Sequence, residues 1–138
     1  MLNYLHIGPH KTGSTAIQKF LLDHTEYLLS KNIDYPEIGL DLFGHHKLVD
    51  YLRGWDTNDH FQALYTVGKS TLLSSENFCF LEKPQILSLL DHLPKRPFRV
   101  CYFLRRLAPA WLSHWQENIK HGSWQTFPEY MLSALELQ

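Results

Sequence analysis

Residues 3–7 (Asn3-Tyr4-Leu5-His6-Ile7) read as a short strand that runs straight into Gly8-Pro9-His10-Lys11-Thr12-Gly13-Ser14-Thr15. Two glycines five residues apart are followed by hydroxyls at the start of a helix. Such a turn brings several backbone N–H groups and a positive helix end to one point, the geometry that suits a phosphate-like anion. Apolar positions Ile17, Phe20, Leu21, Tyr27 and Leu28 predict a helical face over 14–31, with Ser14 or Thr15 as cap.

The same alternation continues. Short helices are expected over 46–53 and 59–67, divided by Gly54-Trp55-Asp56-Thr57-Asn58. A strand is expected over 71–75 and a helix over 84–93 with Pro84 in its first turn. Arg99-Val100-Cys101-Tyr102-Phe103-Leu104 is the clearest strand, and a near-continuous apolar run suits a strand covered on both faces. Helices over 108–120, stopping at Gly122, and over 127–137 complete the chain. Strands alternating with helices predict the α/β class, with helical layers on a central parallel sheet. At 138 residues, 44% of them hydrophobic and 20% charged, a single domain over 1–138 is expected.

Charge and composition exclude several functions. Thirteen Lys and Arg against fourteen Asp and Glu leave a net charge of −1, without the basic excess of a non-specific nucleic-acid binder. Cys79 and Cys101 are too few for a disulfide scaffold or a thiolate zinc site. No apolar run approaches the roughly 18 to 20 residues of a membrane span. With Met1 as the start and no basic-then-apolar leader, a cytoplasmic protein is expected.

The loop departs from the Walker A order, which requires Lys at position 14, directly before a hydroxyl residue. Position 14 is Ser, and the lysine stands upstream at Lys11. Ile7-Gly8-Pro9-His10-Lys11-Thr12-Gly13-Ser14-Thr15 resembles the 5′-phosphosulfate loop of the sulfotransferases, with Lys-Thr-Gly-Ser-Thr as its specific core. The resemblance implies a P-loop-like three-layer α/β/α fold and transfer of a sulfuryl group from 3′-phosphoadenosine 5′-phosphosulfate to a hydroxyl or amine, without a metal. It implies that Lys11 stabilises the bridging oxygen of the leaving 5′-phosphate. Gly8, His10, Thr12, Gly13, Ser14 and Thr15 would hold the donor with it.

A second segment carries the resemblance further. Arg105 and Ser113 have the eight-residue spacing with which sulfotransferases grip the nucleotide's 3′-phosphate, a planar fork of donors plus one short hydrogen bond. Arg106 is an alternative at the same phosphate or an ion-pair partner. Tyr35-Pro36, Gly44-His45-His46, Ser74-Ser75-Glu76 and Trp111-Leu112-Ser113-His114-Trp115-Gln116, with Lys120-His121-Gly122, resemble the bacterial carbohydrate-type branch. That branch implies a carbohydrate or other small-molecule acceptor. The acceptor's proton needs a base, with Glu76 first and His46 second. Gln116 and Lys120 either face the acceptor or lie on an exposed helix face.

The chain departs from the family where Ala16 replaces the tryptophan that stacks on adenine in the cytosolic branch, and it is expected to lack the family's C-terminal part. An edge left open in that way would be apolar, which favours a homodimer. A P-loop kinase or NTPase is a second hypothesis. A non-catalytic binding module using Trp111, Trp115 and Trp124 as anchors is a third, although core packing accounts for at least two of those tryptophans.

Overall fold

The computed structural model describes residues 1–62, 64 and 66–136. It divides into two compact units, Met1–Phe103 and Leu104–Gln138. The first contains strands β1 (Asn3–Ile7), β2 (Ile33–Asp34), β3 (Ser70–Ser75) and β4 (Phe98–Tyr102), and helices α1 (Ser14–Asp23), α2 (Thr25–Ser30), α3 (His46–Leu52) and α4 (Lys83–His92). A 3-10 turn, Glu76–Phe80, follows β3 directly. The strands form one all-parallel sheet in the order β2-β3-β1-β4, which places the chain in the α/β class.

This order creates a crevice. From β1 the chain passes through α1 and α2 to β2 at one edge, and from β3 it passes through α4 to β4 at the other. The two connections leave neighbouring strands in opposite directions, and ligands of open α/β sheets bind at such a divide, outside the carboxyl ends of the strands.

Register decides which side chains share a face. Leu5 pairs with Leu73 on one side and Val100 on the other. That face meets Leu48 and Val49 of α3, Phe78 of the 3-10 turn and Leu89 of α4 in one apolar cluster. His6, Ser74 and Cys101 share the opposite face. Helix α4 starts as its sequence requires: Pro84 sits in the first turn, and Gln85 Oε1 accepts from the Glu82 N–H at 2.8 Å.

Four expectations are corrected. The helix over 14–31 is two helices, because the backbone leaves helical dihedrals at His24, φ −120° and ψ 27°, which ends α1 and starts α2. Its buried residues are Ser14 and Gln18, whereas Phe20 and Tyr27 are exposed. No side chain caps α1; its N-cap is Gly13, in the left-handed region. The described part of 59–67 forms turns rather than a helix, since Asp56 and Asp59 carboxylates take the N–H groups of Asn58 and Phe61 at 2.9 Å each. Ala63 and Tyr65, which belong to that expected helix, lie outside the described residues.

Strand β4 is shorter than expected and is an edge strand. Phe98, Arg99, Val100 and Tyr102 are exposed, contrary to a strand covered on both faces. A cavity of about 280 Å³ opens beside it, lined by residues that include Leu5, Phe78, Leu89 and Val100.

The second unit holds α5 (Leu107–Lys120) and α6 (Phe127–Glu136). Thr126 and Glu129 form the start of α6: Glu129 Oε2 accepts from the Thr126 N–H and hydroxyl, both at 2.7 Å. Trp111 lines an apolar cavity of about 300 Å³ with Leu107 and Met131, and Trp115 donates to the Gln125 carbonyl at 2.8 Å while meeting Phe127 edge-on. Trp124 is exposed. Leu137 and Gln138 lie outside the described residues. Among the described residues, no helix is long and apolar enough to cross a membrane.

Candidate functional site at the carboxyl edge of the sheet

Parallel pairing brings the ends of β1 and β3 level, Ile7 against Ser75. The next residue of each strand is therefore Gly8 and Glu76. A Cβ on Gly8 would stand 2.9 Å from the Glu76 carbonyl oxygen and 2.9 Å from Cys79 Sγ. Only glycine lets the loop pass this close to the 3-10 turn. Gly8→Ala is expected to lose about 1–3 kcal/mol in urea denaturation, because the Glu76 carbonyl belongs to backbone that has to shift. An unchanged midpoint would mean the turn yields freely.

The loop then reverses through Lys11, a non-glycine residue at φ 64°, and Gly13 at φ 88°. The left-handed conformation costs a lysine free energy and persists where surrounding structure over-determines it. Thr12 Oγ1 donates to the Pro9 carbonyl at 2.9 Å and braces the turn. Ser14 is buried and Thr15 exposed at the start of α1, whose first turn has no acidic residue. The first amides of a helix have no acceptor within it, so this end of α1 is electropositive.

A carboxylate stands beside that loop. Glu76 Oε2 accepts from Gln18 Nε2 at 2.9 Å, and Oε1 lies 4.0 Å from His10 Nδ1. His10 stacks on Phe80 with ring centroids 5.3 Å apart, and its Nε2 is buried without a hydrogen-bond partner among the described residues. Burial pushes the Glu76 carboxyl up, but its own backbone N–H, the Gln18 amide, His46 and His10 together hold it below the usual range. Glu76 is therefore ionised at neutral pH. Burial, with Glu76 nearby, pushes the Cys79 thiol up and keeps it protonated.

Two serines at the end of β3 each hold an imidazole. His46 Nδ1 lies 2.8 Å from Ser75 Oγ, and His6 Nδ1 lies 2.7 Å from Ser74 Oγ. His45 occupies the sheet edge that the two-residue β2 leaves open: its N–H donates to the Ser74 carbonyl at 2.7 Å, and its Nδ1 accepts from the Ser74 N–H at 3.1 Å. Its Nε2–H then donates to the Pro36 carbonyl at 2.9 Å. The two ring bonds specify the neutral tautomer, and burial lowers the His45 pKa to about 4.

The structure thus brings His10 of the β1–α1 loop to Glu76, and sets His46 beside Ser75, the residue that precedes Glu76. Gln18, which bonds Glu76, is absent from the sequence analysis, and Ser75 enters it only within Ser74-Ser75-Glu76. The available signal was the pair Ser14 and Gln18, one helical turn apart on the polar side of α1. Arg105 and Ser113 belong to the second unit. Arg105 precedes Arg106, the N-cap of α5, and Ser113 is a half-buried residue of α5.

No protein-family model, curated protein or solved structure matches this chain. The functional reading therefore stands on the residues and their geometry.

Proposed function

We propose that the chain is a sulfotransferase, or the donor-binding portion of one, that takes a sulfuryl group from 3′-phosphoadenosine 5′-phosphosulfate to an acceptor hydroxyl or amine. In this reading the fold is P-loop-like. One observation carries it: the Gly8–Thr15 loop, with left-handed Lys11 and Gly13, leads from a central strand into the electropositive end of α1, beside the ionised Glu76. A phosphate-like group on that loop and a proton acceptor next to it are the two requirements of group transfer to a hydroxyl.

The residues divide the work as follows. Gly8, His10, Thr12, Gly13, Ser14 and Thr15 hold the 5′-phosphosulfate, and Lys11 offsets the negative charge that grows on the leaving phosphate oxygen. Arg105 and Ser113 take the 3′-phosphate. The acceptor oxygen bonds to sulfur as the bond from sulfur to the 5′-phosphate oxygen breaks, and the acceptor's proton passes to Glu76 or His46. Neither role needs a metal ion in this reading. The acceptor class carried by the resemblance is carbohydrate, and the homodimer expectation belongs to the same proposal.

The test is thermal unfolding with 3′-phosphoadenosine 5′-phosphate, with ATP plus Mg²⁺ and with AMP. At about 100 times its dissociation constant, the 3′-phosphorylated nucleotide should stabilise the protein by roughly 2.7 kcal/mol. Lys11→Ala and Arg105→Ala should each remove that shift. A shift with ATP and Mg²⁺ alone would overturn the proposal in favour of a nucleotide kinase or NTPase.

A further inference from the structure

One buried amide at the carboxyl edge has no task in sulfuryl transfer as described above. Gln18, in the second turn of α1, is 2% exposed. A carboxamide in such a place costs free energy unless its donors and acceptor are paired. Its Nε2 donates to Glu76 Oε2 at 2.9 Å. It shares a close neighbour with His46: a Cβ on Gly44 would stand 2.8 Å from Gln18 Nε2 and 2.8 Å from His46 Nε2. The remaining carboxylate oxygen, Oε1, faces His10 Nδ1 at 4.0 Å. That gap is too long for a hydrogen bond, yet a single polar atom set to one side of the line joining them would lie within hydrogen-bond distance of both.

The geometry points to Gln18 as a positioning residue. By tying Oε2 it fixes the plane of the Glu76 carboxylate and leaves Oε1, beside His10, as the oxygen offered to the reacting hydroxyl. What Oε1 does rests on the sulfotransferase reading; the clamp itself does not. Glutamine suits the task because it donates a hydrogen bond without a charge. A lysine would neutralise the carboxylate, and an apolar residue would let it rotate. The titratable groups facing Glu76 are His10 from the loop, His6 of β1, His46 of α3, Tyr35 after β2, and Cys79 within its own turn.

Two variants test this. Gln18→Met removes the donor at similar volume. Gln18→Glu keeps the shape and, when protonated, can donate the same bond; once ionised it repels Glu76. A carbon-13 carboxyl titration of Glu76 should move upward in Gln18→Met. Sulfuryl transfer should fall roughly ten- to a hundredfold in kcat, with affinity for 3′-phosphoadenosine 5′-phosphate unchanged. Gln18→Glu should recover turnover towards acid pH, whereas Gln18→Met should not. An unmoved Glu76 titration in Gln18→Met, or identical pH profiles for the two variants, would overturn the clamp. If Gln18→Met does not fold, Gln18→Glu decides alone: its stability in urea should rise relative to wild type from neutral to acid pH, and a constant difference would sink the proposal. A wild-type protein that neither binds the nucleotide nor transfers a sulfuryl group would fail the sulfotransferase reading, while the Glu76 titration would still decide the clamp.

Discussion

Lowering the pH from 6.5 to about 4 is expected to cost the fold about 3 kcal/mol through one side chain, His45. In the unfolded chain this imidazole takes a proton near its ordinary 6.5, whereas in the fold it refuses one until about 4. The neutral form is the one the native state holds, so its stabilisation is fully present above 6.5 and is lost as the pH falls, with the loss complete near 4. Burial of the ring is the main cause, and the hydrogen-bond geometry acts in the same direction. Nδ1 accepts from the Ser74 N–H, and protonation would set two N–H groups against each other in a buried place. His6, also held below its ordinary value by burial, adds a loss of the same sign. Glu76 and Asp56, whose carboxyls are held below their usual range, lose their contributions as the pH falls through and below the ordinary carboxylate range. Urea denaturation at a series of pH values between 7.5 and 4 reads the effect. His45→Asn keeps an acceptor near Nδ1 and carries no titrating group, so it should be weaker at neutral pH and much flatter below it. Equal slopes for wild type and His45→Asn would show that another group controls the acid limb.

The second large effect is expected in the sheet. Leu73→Ala should destabilise the protein by about 2–5 kcal/mol, because Leu73 is 1% exposed at the middle of β3 and packs in the main apolar cluster. Removing it deletes contacts and leaves a cavity that the paired strands on either side cannot close. Val100→Ala, at 60% exposure on β4, should cost less than about 1 kcal/mol. The comparison is informative because Val100 and Leu73 flank Leu5 in register on the same face. A Val100→Ala cost as large as that of Leu73→Ala would mean that this part of β4 is covered in solution.

The contrast between those two strands marks how far the sequence could be read. The run Arg99–Leu104 is the clearest strand in the sequence, yet its strand is the exposed one. Ser70-Thr71-Leu72-Leu73-Ser74-Ser75 is mostly polar, and all of it but Ser70 and Leu72 is buried. Polarity misleads here because Ser74 and Ser75 are paired with His6 and His46, and a hydrogen-bonded hydroxyl can be buried at little cost. The same reason inverts α1. The apolar pattern over 14–31 points to an inner face with Phe20 in α1 and Tyr27 in α2, while in α1 the fold buries Ser14 and Gln18. A helix that meets a polar crevice keeps its polar side inside.

The loop was more legible than the groups around it. Glycine at 8 and 13 and hydroxyls at 14 and 15 carry a backbone geometry that depends on a few neighbouring residues, and the strand, turn and helix follow one another in the chain. Helix starts at His46, Lys83 and Leu107 were likewise readable to within a residue or two, as was the α/β alternation. These are local properties, governed by dihedral preferences and by the periodicity of apolar positions. The pairing of Ile7 with Ser75 was not readable, because parallel strands meet only through crossovers of many residues. That pairing puts Gly8 against Cys79, Glu76 beside His10, and Gln18 on the Glu76 carboxylate. The sequence by itself determined the elements and the loop that could hold an anion. Only the tertiary structure decided which carboxylate, imidazoles and amide surround it, because their meeting depends on strand order and register rather than on any neighbour in the chain.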